Sequence, residues 1–226
     1  MATTPGAGGS RFPGFDVTAQ AQSWDEQTRA VVWRRLDPAP TDPFFTADER
    51  ETAGALIDRL LAQDQEPRVP VLGLIEERLA AGAGDGFRYR DMPEDPEAWR
   101  CSLAALDTVA LRRYGRRFPD LDDEAQLALL DEVQQEKGQW QGLPAPRTFS
   151  LWMRYACTAF YSHPWAWNEI GFGGPAYPRG YKNLGFDRLE PWEVRERDAP
   201  DPGPWAQRAE RIRQNHSAAV RRGRQP

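Results

Sequence analysis

Residues 44–61 read FFTADERETAGALIDRLL, and this stretch decides the fold class. Thr46 can accept a hydrogen bond from a free amide in a first helical turn. Glu49 stands three positions on, the spacing at which two side chains cap each other's backbone. Behind them Ala53, Leu56, Ile57, Leu60 and Leu61 fall at i, i+3, i+4, i+7 and i+8, one face of an α-helix.

The same pattern recurs on both sides. Upstream, Ser23 with Glu26 reads as a second capping box, for a helix with apolar positions at Trp24, Val31, Val32 and Leu36. Asp37-Pro38-Ala39-Pro40 ends it, because proline has no amide to donate. Downstream, QDQEPRVP makes a turn, a short helix spans Val71 to Leu79, and Gly82, Gly84 and Gly86 break the chain. Asp95 is the expected cap of the next helix, with Pro96 in its first turn. Trp99, Leu103, Leu106, Ala110 and Tyr114 form its stripe, and Arg112, Arg113, Arg116 and Arg117 crowd its end, where cations suit the helix dipole. Asp122 opens a helix carrying Leu127, Leu130 and Val133, with Gly138 as its stop. The last core helix runs from about Arg147 to Tyr161 and is apolar most of the way round, so it is central. No alternating strand pattern appears. The expectation is an all-α bundle of about five to seven helices.

That helix delivers the chain into FYSHPWAWNEIGFGGPAYPRGYKNLGFDRLEPW, residues 160–192, which holds 9 of the 25 aromatic residues along with five glycines and four prolines. The mixture suits neither helix nor strand, yet disordered segments are poor in aromatics. A long, ordered loop is expected, its rings buried against the chain's own helices or against another protein. The expected organisation is an N-terminal arm (1–22), a helical domain (23–162), the aromatic Gly/Pro-rich loop (163–192) and a basic C-terminal tail (193–226). In the tail, Trp205, Ala209, Ile212, His216 and Ala219 would line one side of a helix. It is either solvated or docked on a partner.

Length and composition suit one soluble domain with extensions. A formal net charge of −5 argues against nucleic acid as a partner. No apolar run approaches the ~20 residues that span a bilayer. The opening MATTPGAGGSRFPGFD does not read as a secretory leader, so the expected location is cytoplasmic. Cys101 and Cys157 are read as small core residues.

Chemistry is sparse. The two histidines, His163 and His216, have no metal-ligand spacing, the cysteines form no CxxC pair, and neither a nucleophile elbow nor a Walker loop is present. Gly171-Phe172-Gly173-Gly174-Pro175-Ala176 fits the dinucleotide pattern, which binds pyrophosphate only when a strand enters it and a helix begins inside it. Neither is expected around those prolines. No catalytic, metal or cofactor residue is therefore assigned to this chain.

Three stretches carry a resemblance: FFTADERETAGALIDRLL (44–61), LAALDTVALRRYGRRFPDLDDEAQLALLDEV (103–133), and the closing helix with its Phe160-Tyr161-Ser162-His163-Pro164 turn. Together they resemble the gluconate 2-dehydrogenase subunit 3 family over roughly residues 15–192. The resemblance implies a non-catalytic small subunit. It binds and stabilises an FAD-dependent large subunit of the glucose–methanol–choline (GMC) type, as a heterodimer oxidising a sugar, glycoside or polyol. Many members also escort their partner through twin-arginine export. No twin-arginine leader is visible here, so a cytoplasmic complex is expected. Trp165, Trp167, Phe172, Tyr177, Arg179 and Tyr181 are the residue types from which interface hot spots are drawn and are the expected partner contacts, unless the rings cap the chain's own core. The alternative is an independent helical enzyme or ligand-binding protein with a pocket near His163.

Overall fold

Four of the seven α-helices among the described residues start where a side chain satisfies a free amide of the first turn, and the other three have no side-chain cap. The computed structural model describes residues 12, 14–36, 38, 43–63, 68–183, 185 and 188–195. It contains α1 (Glu26–Leu36), α2 (Ala47–Leu61), α3 (Val71–Ala80), α4 (Asp95–Tyr114), α5 (Asp123–Gln135), α6 (Ala145–Ser162) and α7 (Pro164–Ile170). Short 3-10 helices occupy Val17–Ser23 and Phe118–Asp120. The only strands among the described residues are β1 (Gln139–Trp140) and β2 (Leu143–Pro144), a two-residue hairpin with Trp140 opposite Leu143. The class is all-α, as expected. None of the described helices is long and apolar enough to cross a membrane.

The α2 capping box forms as read. Glu49 N–H donates to Thr46 Oγ1 at 3.3 Å, and Thr46 N–H donates to Glu49 Oε2 at 2.9 Å. Asp122 likewise accepts from Ala125 N–H at 2.9 Å to start α5. Two expected caps are displaced. Asp25 rather than Ser23 caps α1, accepting from Thr28 N–H at 2.8 Å, while Ser23 donates to the Gln20 carbonyl at 2.7 Å and closes the first 3-10 helix. A carboxylate is the stronger acceptor at a helix start. Asp95 lies inside α4 and makes no cap bond. Its carboxylate accepts from the Tyr155 hydroxyl at 2.8 Å instead, because a buried phenol requires a partner.

α6 is central, packed against α2, α3, α4 and α5. Trp99, Trp152, Tyr155 and Phe118 are its largest fully buried neighbours or members. The rings meet edge to face, with centroids 5.8 Å apart for Trp99–Tyr155 and 5.9 Å for Trp140–Trp152. Trp152 Nε1–H donates to Ser102 Oγ at 2.9 Å, so this indole is buried without an unmet donor. At the far end of α4, Asp107 accepts from Thr52, Arg117 and the Phe118 amide at 3.0–3.1 Å, tying α2 to α4.

A second, smaller core lies apart from this one. Val17, Trp24, Val32 and Trp167 are buried together, drawn from the first 3-10 helix, its C-cap, α1 and α7. Residues expected to form a loose N-terminal arm thus pack on the aromatic loop from 163 onward. The expected tail helix around Trp205–Ala219 lies outside the described residues.

Candidate functional site

Residues 160–192 contain a helix after all: α7, at Pro164–Ile170. Proline is no obstacle at the first turn of a helix, where its missing amide has no intrahelical partner and its φ is already set. His163 supplies the cap, its Nδ1 accepting from Trp165 N–H at 3.2 Å. Gly171 ends the helix in the left-handed region at φ 69°, the usual place for a glycine.

His163 is fully buried, with its ring edge-to-face on Trp165 at 4.9 Å. Its Nε2 is buried without a hydrogen-bond partner. Burial disfavours the imidazolium and lowers the pKa to about 4, the Leu36 carbonyl opposing only in part. A neutral, enclosed imidazole whose acceptor nitrogen caps a helix holds the α6–α7 junction and presents no ring nitrogen to solvent.

Past α7 the glycines make room for rings. A Cβ on Gly174, at φ +77°, would lie 2.8 Å from Val17 Cγ2 and 2.9 Å from Trp24. One on Gly173 would lie 2.8 Å from Trp192. The dinucleotide-like glycines thus serve close packing, and α7 ends at the first of them where a pyrophosphate loop would have a helix begin. Arg179 pins the loop, donating to Ser23 Oγ at 2.9 Å and the Gly173 carbonyl at 2.8 Å, with its guanidinium 3.9 Å from the Trp192 ring centroid. The buried Glu190 carboxylate gathers the amides of Lys182 and Asn183. These contacts tie the described part of the loop to Ser23 and to itself.

The six residues expected at a partner surface divide sharply. Trp167 is buried, its Nε1–H donating to the Tyr161 carbonyl at 2.7 Å, so it caps the second core from inside. Trp165 is half-buried on the main core. Arg179 is spent on the loop itself. Phe172, Tyr177 and Tyr181 stand out, at 41%, 67% and 48% exposure. Tyr161 and Ile170, which the sequence did not single out, are exposed beside the same segments.

Sequence reasoning also passed over the connection between α3 and α4, residues 81–94. Its signal was Phe87-Arg88-Tyr89 placed directly after three glycines. Phe87 and Tyr89 are both exposed and meet edge to face at 5.0 Å. Arg147 of α6 lies 4.3 Å from the Tyr89 ring centroid and pairs with Asp91. Arg154 of α6 and Arg78 of α3 both pair with Asp85. Phe87, Tyr89, Arg147 and Arg154, with Met92 and Leu151, line a cleft of about 100 Å³. Tyr155 beneath it keeps its proton, since burial and the Asp95 carboxylate both raise its pKa.

No three potential metal ligands converge among the described residues. Cys101 is exposed, contrary to expectation, because it lies two residues from Trp99 and so on the opposite side of α4. Cys157 is half-buried, with its thiol pKa raised by burial.

A family model described as gluconate 2-dehydrogenase subunit 3 matches residues 47–174, more than half of the chain. Those residues include α2 to α7 and the 81–94 connection, and exclude α1 and the loop beyond Gly174. No curated protein and no solved structure matches the chain.

Proposed function

Because this chain belongs to the gluconate 2-dehydrogenase subunit 3 family, we propose that it is the accessory subunit of an FAD-dependent, GMC-type dehydrogenase acting on a sugar, glycoside or polyol. Membership implies a multi-subunit dehydrogenase complex. The flavin, its binding residues and the reacting centre belong to the large subunit in this reading, and the pair works as a heterodimer in the cytoplasm.

The observation that carries the reading is the exposed aromatic surface of the 160–192 segment. Phe172, Tyr177 and Tyr181 project from a loop already fixed by Arg179 and Glu190. Rings held in place lose little side-chain entropy on docking, which is the condition under which aromatics become hot spots. Trp165, Trp167 and Arg179 hold this surface from behind. Binding only the native large subunit, the small subunit stabilises it by mass action.

Co-expression with the flavoprotein large subunit, followed by size exclusion, tests the reading. The two should co-elute, with the flavin absorbance following the large subunit. The purified lone chain should be colourless and should not oxidise sugars with an artificial electron acceptor. Turnover by the lone chain would overturn the accessory role.

A further inference from the structure

We propose that the 81–94 connection and the outer stripe of α6 form a second docking surface, which receives an uncharged apolar segment of the same dehydrogenase large subunit. The proposal rests on the accessory-subunit reading and adds to it a site at the opposite end of α6 from the aromatic loop.

The connection is built more firmly than a link between two helices requires. Arg78 Nε–H donates to the Ala83 carbonyl at 2.8 Å, and Arg88 donates to the Met92 carbonyl at 3.1 Å. Arg78 and Arg154 grip Asp85 from two helices, and Arg147 stacks on Tyr89. All this scaffolding presents two rings to solvent, Phe87 being 63% exposed. A preorganised apolar rim over a small cleft is the form of a protein-docking site, because its ordering cost is met before the partner arrives.

Charge selects the kind of occupant. Each guanidinium that lines the cleft has a carboxylate partner: Arg88 with Glu94, Arg147 with Asp91, and Arg154 with Asp85 and Asp95. An anionic ligand would have to displace one of them. What the cleft itself offers uncompensated is apolar: Phe87 and Tyr89 on the rim, Met92 and Leu151 below. The cleft under the rings, about 100 Å³, takes one aliphatic side chain of a partner, and a wider groove of about 680 Å³ on the other side of Phe87 and Arg88 leaves room for the rest of the segment.

Area and continuity select the partner. Five roughly half-exposed side chains of about 200 Å² each offer about 500 Å² at the aromatic loop, short of the roughly 800 Å² per partner in a standard interface. Arg147, Ser150, Arg154, Thr158 and Tyr161 follow one another at i, i+3, i+7, i+11 and i+14 and lie on one outer stripe of α6. That stripe runs about 21 Å from the Phe87–Tyr89 pair to Tyr161 beside the aromatic loop, so one partner laid along α6 reaches both ends. The 81–94 connection and this stripe also fall inside residues 47–174, the part matched by the family model, whereas Tyr177 and Tyr181 do not.

The test uses the full chain co-expressed with the flavoprotein large subunit, with affinity measured on the purified pair. The double variant Phe87→Ser, Tyr89→Ser removes both exposed rings and the Tyr89–Arg147 stacking but leaves the Asp85 and Asp91 ion pairs in place, so it should stay folded with a circular dichroism melt close to that of the wild type. It should weaken association at least tenfold, and hydrogen exchange at residues 84–90 should slow in the wild-type complex and not in the variant complex. Unchanged affinity with a folded double variant overturns the docking surface and leaves the accessory role standing. A wild-type chain that does not bind the large subunit removes both. If the variant dissolves a self-association of the wild-type chain and leaves the heteromeric affinity intact, the surface belongs to a second copy and the proposal is wrong.

Discussion

Acidification should destabilise the folded chain through His163. The imidazole is fully buried at the α6–α7 junction, and its pKa lies at about 4 instead of the ordinary 6.5. Above pH 6.5 it is neutral whether the chain is folded or not, so it contributes no pH dependence. Between 6.5 and 4 the unfolded chain takes up a proton that the folded chain refuses, and unfolding gains free energy. At about 1.4 kcal/mol per unit, that interval is worth about 3 kcal/mol, fully expressed near pH 4. For a chain of this length it corresponds to a fall in Tm of roughly 6–12 °C. Glu169, raised by burial, opposes the trend, while Asp25 and Asp85, both lowered, add to it only at the bottom of this range and below. The comparison that isolates the histidine is with His163→Asn, since asparagine keeps an acceptor for the Trp165 amide and is a good N-cap. Urea unfolding followed by circular dichroism at pH 7.5, 6, 5 and 4 gives two stability curves. The variant should be less stable at pH 7.5 through lost packing, and the gap should close by about 3 kcal/mol as the pH falls. Parallel curves would refute the argument, since the His163 charge would then play no part.

Further outcomes follow from single contacts. Trp167→Ala should cost about 3–5 kcal/mol, seen as a lowered Tm of the lone chain. Tyr177→Ala should leave that Tm unchanged and cost about 2 kcal/mol or more in association with the large subunit. Gly174→Ala puts a methyl against Val17 and Trp24 at a positive φ and should destabilise by about 2–4 kcal/mol, read in the same melts. Ser102→Ala strands the buried Trp152 indole N–H and should cost about 1–3 kcal/mol, more than its volume change alone accounts for.

What the sequence determined by itself was local. The Thr46–Glu49 box, the α2 stripe, the Asp122 cap and the apolar α6 each depend on residues within a few positions of one another, where helix geometry sets the distances. The family was legible for the same reason, through stretches that include the Phe160–Pro164 turn. Tertiary contacts decided the rest. Asp95 left its cap for Tyr155, 60 residues away. Trp167 went inside because Val17, Trp24 and Val32 closed over it from the other end of the chain. The Phe87–Tyr89 rim was hidden in the sequence because Arg147 and Arg154, which hold its loop, come from a helix some 60–70 residues later. Periodicity says which side of a helix is apolar. Only the packed chain decides which rings find cover at home and which are left facing out, because burial depends on partners distant in sequence.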